Sequence, residues 1–381
     1  MPVYLDHNAT TPLEATALEA MLPYLREQFG NPSSVHRQGR RARAAIDAAR
    51  EHVAALVNAH PSQIIFTSGG TEANNLAIQG VAAKHSPGRI LIGATEHPSV
   101  AEAATSLADR GWHIEHLPVD DQGCLRHDVL EKALRPVPAL VSVMTANNET
   151  GVVQDMAAIA AFVRDNGALL HTDAVQAAGK IALDFSASGA HLMSLSAHKI
   201  GGPKGVGALI VDKAVDMKPL LHGGGQEKGR RSGTENVAAI VGFGAAATVV
   251  RERLAAYGLR LLRLRELLEA GLRSFPGVEI FAANAQRVPN TVCFGVHGME
   301  GETLVLNLDR LGFAVSSGSA CASGSNEPSP VLLAMGIEPA LARGSLRVSL
   351  GWNNTEIDVE EFLRALRAVL ASREQRHVVN A

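Results

Sequence analysis

The chain is expected to adopt an α/β fold: a large domain built on a mainly parallel sheet, joined to a smaller α+β domain. Two patterns carry this expectation. From about residue 40 to 215, short apolar runs alternate with helical patterns, which argues for a parallel sheet covered on both faces. After about residue 250 the alternation gives way to one long amphipathic stretch and several short strands. A length of 381 residues suits one large domain and a smaller one. The division is expected at 12–252 for the large domain, with 1–11 and 253–381 forming the small one.

Taken in order, residues 43–57 place Ile46, Ala49, Val53 and Leu56 with Val57 on one helical face. Residues 64–66 read as a short buried strand running into a Ser/Gly turn. The same alternation gives strands at 89–94, 139–145, 168–172 and 207–211. Residues 251–273 read as a helix with Leu254, Leu261, Leu264 and Leu268 inward and Arg260, Arg263 and Arg265 outward. Short strands follow at 278–281, 291–294, 313–316 and 346–349. Val359, Phe362, Leu363, Leu366, Val369 and Leu370 signal a final helix.

Composition narrows the function. A net charge of −3, from 35 basic and 38 acidic residues, gives no reason to expect nucleic acid or an acidic membrane as the main partner. Cys124, Cys293 and Cys321 are too few and too widely spaced for a disulfide framework or a zinc site, and fit a reducing compartment. The N-terminus lacks the basic start and apolar core of a signal peptide, and no run of about 18 apolar residues exists to span a membrane. A cytoplasmic protein is the expectation.

In parallel sheets, ligands gather at the carboxyl ends of the strands. After 64–66 come Thr67, Ser68, Gly69, Gly70, Thr71 and Glu72, opening a helix. Small residues there let backbone N–H groups reach an anion, although a plain capped turn has the same appearance. The next strand runs to Glu96, His97 and Pro98, where a histidine can stack on a flat ligand or move protons. Asn147 and Asn148 follow the third strand. Asp173 follows the fourth, where a carboxylate suits a protonated ring nitrogen, and Gln176 lies three residues on. Ser196, His198 and Lys199 then sit in a small-residue turn, and a lysine so placed is a candidate for bonding a carbonyl. The chain has eight lysines, none after Lys228. Each feature is common alone. Together and in this order they are the parts that a pyridoxal phosphate site needs.

Over nearly its whole length the chain resembles the cysteine desulfurases of the NifS/IscS type, within the class V aminotransferase group. The resemblance begins at Tyr4-Leu5-Asp6-His7-Asn8-Ala9-Thr10-Thr11 and passes through Gly30-Asn31-Pro32-Ser33-Ser34 and Arg231-Ser232-Gly233-Thr234-Glu235-Asn236. It then takes in Ser316-Ser317-Gly318-Ser319-Ala320-Cys321 and ends at Leu346-Arg347-Val348-Ser349-Leu350-Gly351. It implies a PLP-dependent transferase fold of the aspartate aminotransferase type. It also implies a pyridoxal 5′-phosphate cofactor bonded to Lys199, with His97 stacked on the ring, Asp173 at the ring nitrogen and Gln176 at the ring hydroxyl. Gly70, Thr71, Ser196 and His198 hold the phosphate, with Thr234 reaching it from the second subunit of a homodimer. Asn148 and Arg347 meet the substrate carboxylate, and Asn148 also borders the cofactor. Cys321 is the nucleophile that takes sulfur from L-cysteine, leaving L-alanine and a persulfide for an acceptor protein such as an iron–sulfur scaffold, or for tRNA thiolation or thio-cofactors. Gly70 departs from the alanine of many relatives, and the tail ends soon after its last helix.

Two other readings stand beside this one. A transaminase, a selenocysteine lyase or a sulfinate lyase could use the same scaffold, but a transaminase needs no thiol at Cys321. A non-enzymatic regulator would have no use for Lys199, Asp173, His97 and Cys321 together.

Overall fold

The computed structural model describes residues 2–318 and 327–379. The chain forms thirteen strands among the described residues: β1 (Val3–Tyr4), β2 (Ile64–Thr67), β3 (Arg89–Gly93), β4 (His113–Leu117), β5 (Leu140–Ser142), β6 (Leu169–Asp173), β7 (Leu192–Ser196), β8 (Gly207–Val211), β9 (Val278–Ile280), β10 (Thr291–Val296), β11 (Phe313–Ala314), β12 (Ser316–Ser317) and β13 (Ser345–Ser349). Seven of them make one sheet in the order β2-β8-β7-β6-β5-β3-β4. Its neighbours are parallel from β4 through β7, while β8 runs antiparallel to both β7 and β2. The expected mainly parallel sheet is therefore present, with one reversed strand.

Alternation along each strand sends side chains to opposite faces. Ile64, Phe66 and Leu91 enter one apolar core, while Ile65, Ile90 and Ile92 enter the other. The helices Arg37–Leu56 and Met156–Asp165 contribute to the first core; Gly70–Ala82 and Pro98–Thr105 contribute to the second. Two strands of this sheet escape the sequence reading. β4 is the sheet edge, and its polar His-Ile-Glu-His pattern is what an edge strand tolerates. β7 carries Ser194 and Ser196 among its apolar residues, which masks a wholly buried strand.

A separate core gathers around the antiparallel sheet β12-β13-β10-β9, with Phe294, Leu346 and Val348 packed against Leu264, Leu268, Phe362 and Leu366. The helix Val237–Leu272 belongs to both halves of the molecule. Ile240, Phe243 and Ala247 enter the first core, and Leu261, Leu264, Leu268 and Leu272 the last. Leu254 was expected inward but is only half-buried, because it lies where the helix passes from one core to the other. The N-terminal segment also bridges: β1 lies parallel to β11, Asp6 pairs with Ser349, and the chain then turns toward the large sheet.

Among the described residues, no helix is long and apolar enough to cross a membrane, and no group of three or more His, Cys, Asp or Glu could hold a metal ion.

Candidate active site

A cavity of about 220 Å³ opens where β2, β6 and β7 end. Gly70, Thr71, His97, Asn148, Asp173, Gln176, Ser196, His198 and Lys199 all line it, although they come from segments spread over 130 residues of sequence. The fold brings them together because each ends or follows a strand of the same sheet.

The first wall is the turn after β2. Gly70 begins the helix, and a side-chain carbon there would lie 2.9 Å from Val175 Cγ2 and 3.4 Å from Ser196 Cβ. Glycine keeps that space open. The turn is pinned from behind: Ser68 donates its N–H to Glu72 Oε2 at 2.8 Å, and Arg231 donates to Glu72 Oε1 at 2.8 Å. One helical turn beyond Thr71, Asn74 donates to both Ser99 Oγ (2.8 Å) and Asp173 Oδ2 (2.7 Å).

His97 caps the Pro98–Thr105 helix. Its Nδ1 accepts the Ser99 N–H at 3.1 Å, so in the neutral ring the proton resides on Nε2. Burial and the charge of Lys199 lower its pKa, while Asp173 works in the opposite direction. Asp173, the last residue of β6, spends its second oxygen on the Val175 N–H at 2.9 Å, which fixes its orientation. His198 follows β7, and burial, then Lys199 and Lys204, push its pKa down to about 4. It is therefore a neutral ring at ordinary pH, with Nδ1 3.2 Å from Thr10 Oγ1. The Lys199 amine donates to the main-chain carbonyls of Asn8 (2.5 Å) and Ala9 (2.7 Å). Gln176 donates to the Asn8 carbonyl at 2.9 Å and accepts from Lys180 Nζ at 2.6 Å.

Three expected site residues stand elsewhere. Arg347, on β13, is buried beside the cavity and does not line it. It donates to Asp6 Oδ1 at 2.7 Å and to the Asn148 carbonyl at 3.1 Å. Thr234 is exposed in a different hollow, with Thr67, Ser68 and Glu227, on the far side of the turn after β2. Cys321 lies outside the described residues. On either side of the segment that holds it, Gly318 donates its N–H to the Ser345 carbonyl at 3.2 Å, and Ser329 Oγ donates to Glu149 Oε2 at 2.5 Å. The other two thiols are poorly placed to react. Burial pushes Cys293 far up, and burial with Asp120 and Asp121 raises Cys124.

Sequence reasoning assigned no role to Asn74, Ser99, Asn8 or Lys180. Asn74 lies one turn after Thr71 on a helix that also carries Glu72, Asn75 and Gln79, so its polarity alone did not single it out.

The family model for class-V aminotransferases matches residues 3–362. The chain is similar to a cysteine desulfurase IscS of Dictyoglomus turgidum, 43% identical over 371 residues, covering 97% of this chain and 94% of that protein. Among solved structures it is similar to a NifS-like protein, with a TM-score of 0.92 at 37% identity over 97% of this chain and all of the other. It is also similar to SspA in complex with cysteine, with a TM-score of 0.81 at 32% identity over 91% of this chain and 98% of that one. Enzymes of this family depend on pyridoxal phosphate. The cavity fits that group: it offers an amine at Lys199, a carboxylate at Asp173, and a helix start at Gly70 kept clear of side-chain atoms. The chain belongs to the class-V aminotransferase family and, within it, to the cysteine desulfurases.

Proposed function

We propose that this protein is a pyridoxal-phosphate-dependent cysteine desulfurase that converts L-cysteine to L-alanine and holds the sulfur as a persulfide on Cys321 for delivery to an acceptor protein. The observation that carries the reading is the convergence of Lys199, Asp173 and His97 on one cavity at the strand ends. The solved relative that holds cysteine supports the substrate.

The bound cofactor supplies an electron sink that lets an amino acid shed its α-proton. The chain's own residues do the rest. Lys199 provides the amine that bonds the cofactor and afterwards moves the proton. Asp173, held by Asn74 and the Val175 N–H, presents a carboxylate of fixed direction to the ring nitrogen. His97 covers the ring. Gly70, Thr71, Ser196 and His198 receive the phosphate, and Asn148 and Arg347 receive the substrate carboxylate. The thiolate of Cys321 attacks the substrate sulfur, so the C–S bond breaks as the S–S bond forms. Cysteine plus a thiol thereby becomes alanine plus a persulfide.

The chain is read further as a homodimer in which Thr234 completes the phosphate site of the other subunit. Its exposure and its place in a different hollow from its own cavity support that reading. Residues 12–252 are read as the cofactor domain, with 1–11 and 253–381 as the domain carrying Cys321. The two cores that meet along the Val237–Leu272 helix support the division. The reducing setting of the cytoplasm suits the unpaired Cys124 and Cys293. The direct test is alanine release from L-cysteine by the coloured holoenzyme, with Lys199→Ala as control. Loss of both colour and turnover in that variant is expected, and a coloured, active Lys199→Ala protein would overturn the assignment.

A further inference from the structure

Lys180 lies four residues beyond Gln176, is buried, and does not line the cavity. Its Nζ donates to Asn8 Oδ1 at 2.7 Å and to Gln176 Oε1 at 2.6 Å. Among the described residues no carboxylate bonds to it, so ion pairing does not account for an amine in that place. Burial, then Lys199 and Arg347, hold its pKa well below the lysine range. Charged or neutral, the amine has N–H groups enough for both oxygens, so these contacts do not depend on its charge.

The contacts fix which way the Gln176 amide points. A main-chain carbonyl only accepts, so the group that faces the Asn8 carbonyl at 2.9 Å is Nε2, and Oε1 faces Lys180. Asn8 is itself anchored: its N–H donates to Ser349 Oγ at 2.9 Å, its Nδ2 to Thr291 Oγ1 at 2.9 Å and to the Asn148 carbonyl at 3.1 Å. Turning the Gln176 amide over would set oxygen against the Asn8 carbonyl and nitrogen against the Lys180 amine. Gln176 lines the cavity, and its oxygen is held by a residue outside the lining. The hydrogen it still has to give is the second one on Nε2. Such a donor suits a ligand oxygen that accepts, as a ring hydroxyl does.

We propose that Lys180 is a positioning residue for Gln176: by holding Oε1 it keeps the amide in the orientation that offers an N–H, and not an oxygen, to the ring hydroxyl of the cofactor. This rests on the cavity holding pyridoxal phosphate with its ring hydroxyl at Gln176.

The test compares two compounds binding to the full chain after its cofactor has been reversibly removed: pyridoxal phosphate, and the analogue of it that lacks the ring hydroxyl. Absorbance follows both. Gln176→Ala and Lys180→Met should each weaken pyridoxal phosphate about tenfold, the scale of one lost hydrogen bond, and leave the analogue within about twofold. The double variant should bind pyridoxal phosphate no more weakly than Gln176→Ala alone, because both changes act through one contact. A folded Lys180→Met protein that binds pyridoxal phosphate as tightly as the original would overturn the proposal. So would one that loses both compounds equally, which is the behaviour of a strut, or a double variant whose losses add. Where Lys180→Met does not fold, Lys180→Gln, whose donor stops one bond short, must show the same selective loss, and an equal loss of both compounds there is equally fatal. Failure of the underlying reading looks different: Gln176→Ala itself would then treat the two compounds alike.

Discussion

The guanidinium of Arg347 lies 2.7 Å from the Asp6 carboxylate, and its other terminal nitrogen donates to the Asn148 carbonyl at 3.1 Å. One side chain thus ties the N-terminal segment and the cavity wall to β13. Its Nε is buried with no hydrogen-bond partner. Sequence reasoning assigned Arg347 to the substrate, because a fork of donors suits a carboxylate, with a structural ion pair as the other reading. The structure gives it a resident carboxylate as well.

Removing it should have two effects. Arg347→Ala breaks a largely buried ion pair, which costs about 3–5 kcal/mol, so the melting temperature should fall. It should also raise KM for cysteine by roughly 30-fold or more while the cofactor stays bound. Steady-state kinetics beside thermal unfolding separate the two. A lowered melting temperature with an unchanged KM would leave Arg347 as a strut only.

Asp173 is held by Asn74 and by its own turn, so its contribution should come from charge more than from shape. Asp173→Asn keeps the size and one of the two accepted hydrogen bonds, since an amide has a single acceptor oxygen. With the cofactor still bound, kcat should drop by about 10²-fold or more, the scale of losing one preorganised electrostatic partner. Single-turnover absorbance measurements would check this, and a variant within a fewfold of the original kcat would remove Asp173 from the ring nitrogen.

Glu149 ties stability to pH. Burial raises its pKa to about 7, against the downward pull of the Ser329 hydrogen bond and Arg347. A carboxyl that prefers its proton when folded stabilises the fold fully below its ordinary value. That advantage is lost as the pH climbs through about 7. Relative to Glu149→Gln, the unsubstituted protein should lose roughly 3 kcal/mol between the ordinary carboxylate range and neutrality, then level off. Denaturant melts of both proteins across that window would reveal it, and parallel curves would contradict it.

Thr234 lines a different hollow from the cavity of its own chain, so the proposed composite site requires a partner subunit. Sedimentation and activity measured over the same dilution series should fall together as dimers separate. Full activity in a monomer would refute the composite site.

The residues legible in the sequence share a local signature. Gly70, Thr71, His97 and Asp173 each stand at or just after the end of a short strand legible in the sequence and sit among small or turn-forming residues, so the motif and its element announce each other; Ser196 and Lys199 were marked by their small-residue turn alone. Asn8 and Lys180 carry no such mark. Asn8 meets Lys199 across 191 positions of sequence, and its importance exists only once the N-terminal segment has crossed from the small sheet to the large one. Lys180 reads as a solvated lysine after a glycine until folding buries it. Edge strand β4 and the serine-bearing β7 were hidden for a related reason: periodicity reports burial, and their polar residues disguise it. The long helix was seen only in its second half, since its Ala- and Gly-rich first half shows no amphipathic stripe.

The most direct measurement concerns Cys321, because cofactor chemistry and sulfur storage fall on different residues. Unsubstituted protein given L-cysteine without reductant should carry one additional sulfur on the peptide containing Cys321, read by mass spectrometry. Cys321→Ser should fold, keep its colour and still change colour with cysteine, yet release neither alanine nor sulfide, since a hydroxyl cannot store a persulfide. Extra sulfur on Cys124 or Cys293 instead, or desulfuration at an undiminished rate in Cys321→Ser, would contradict the account.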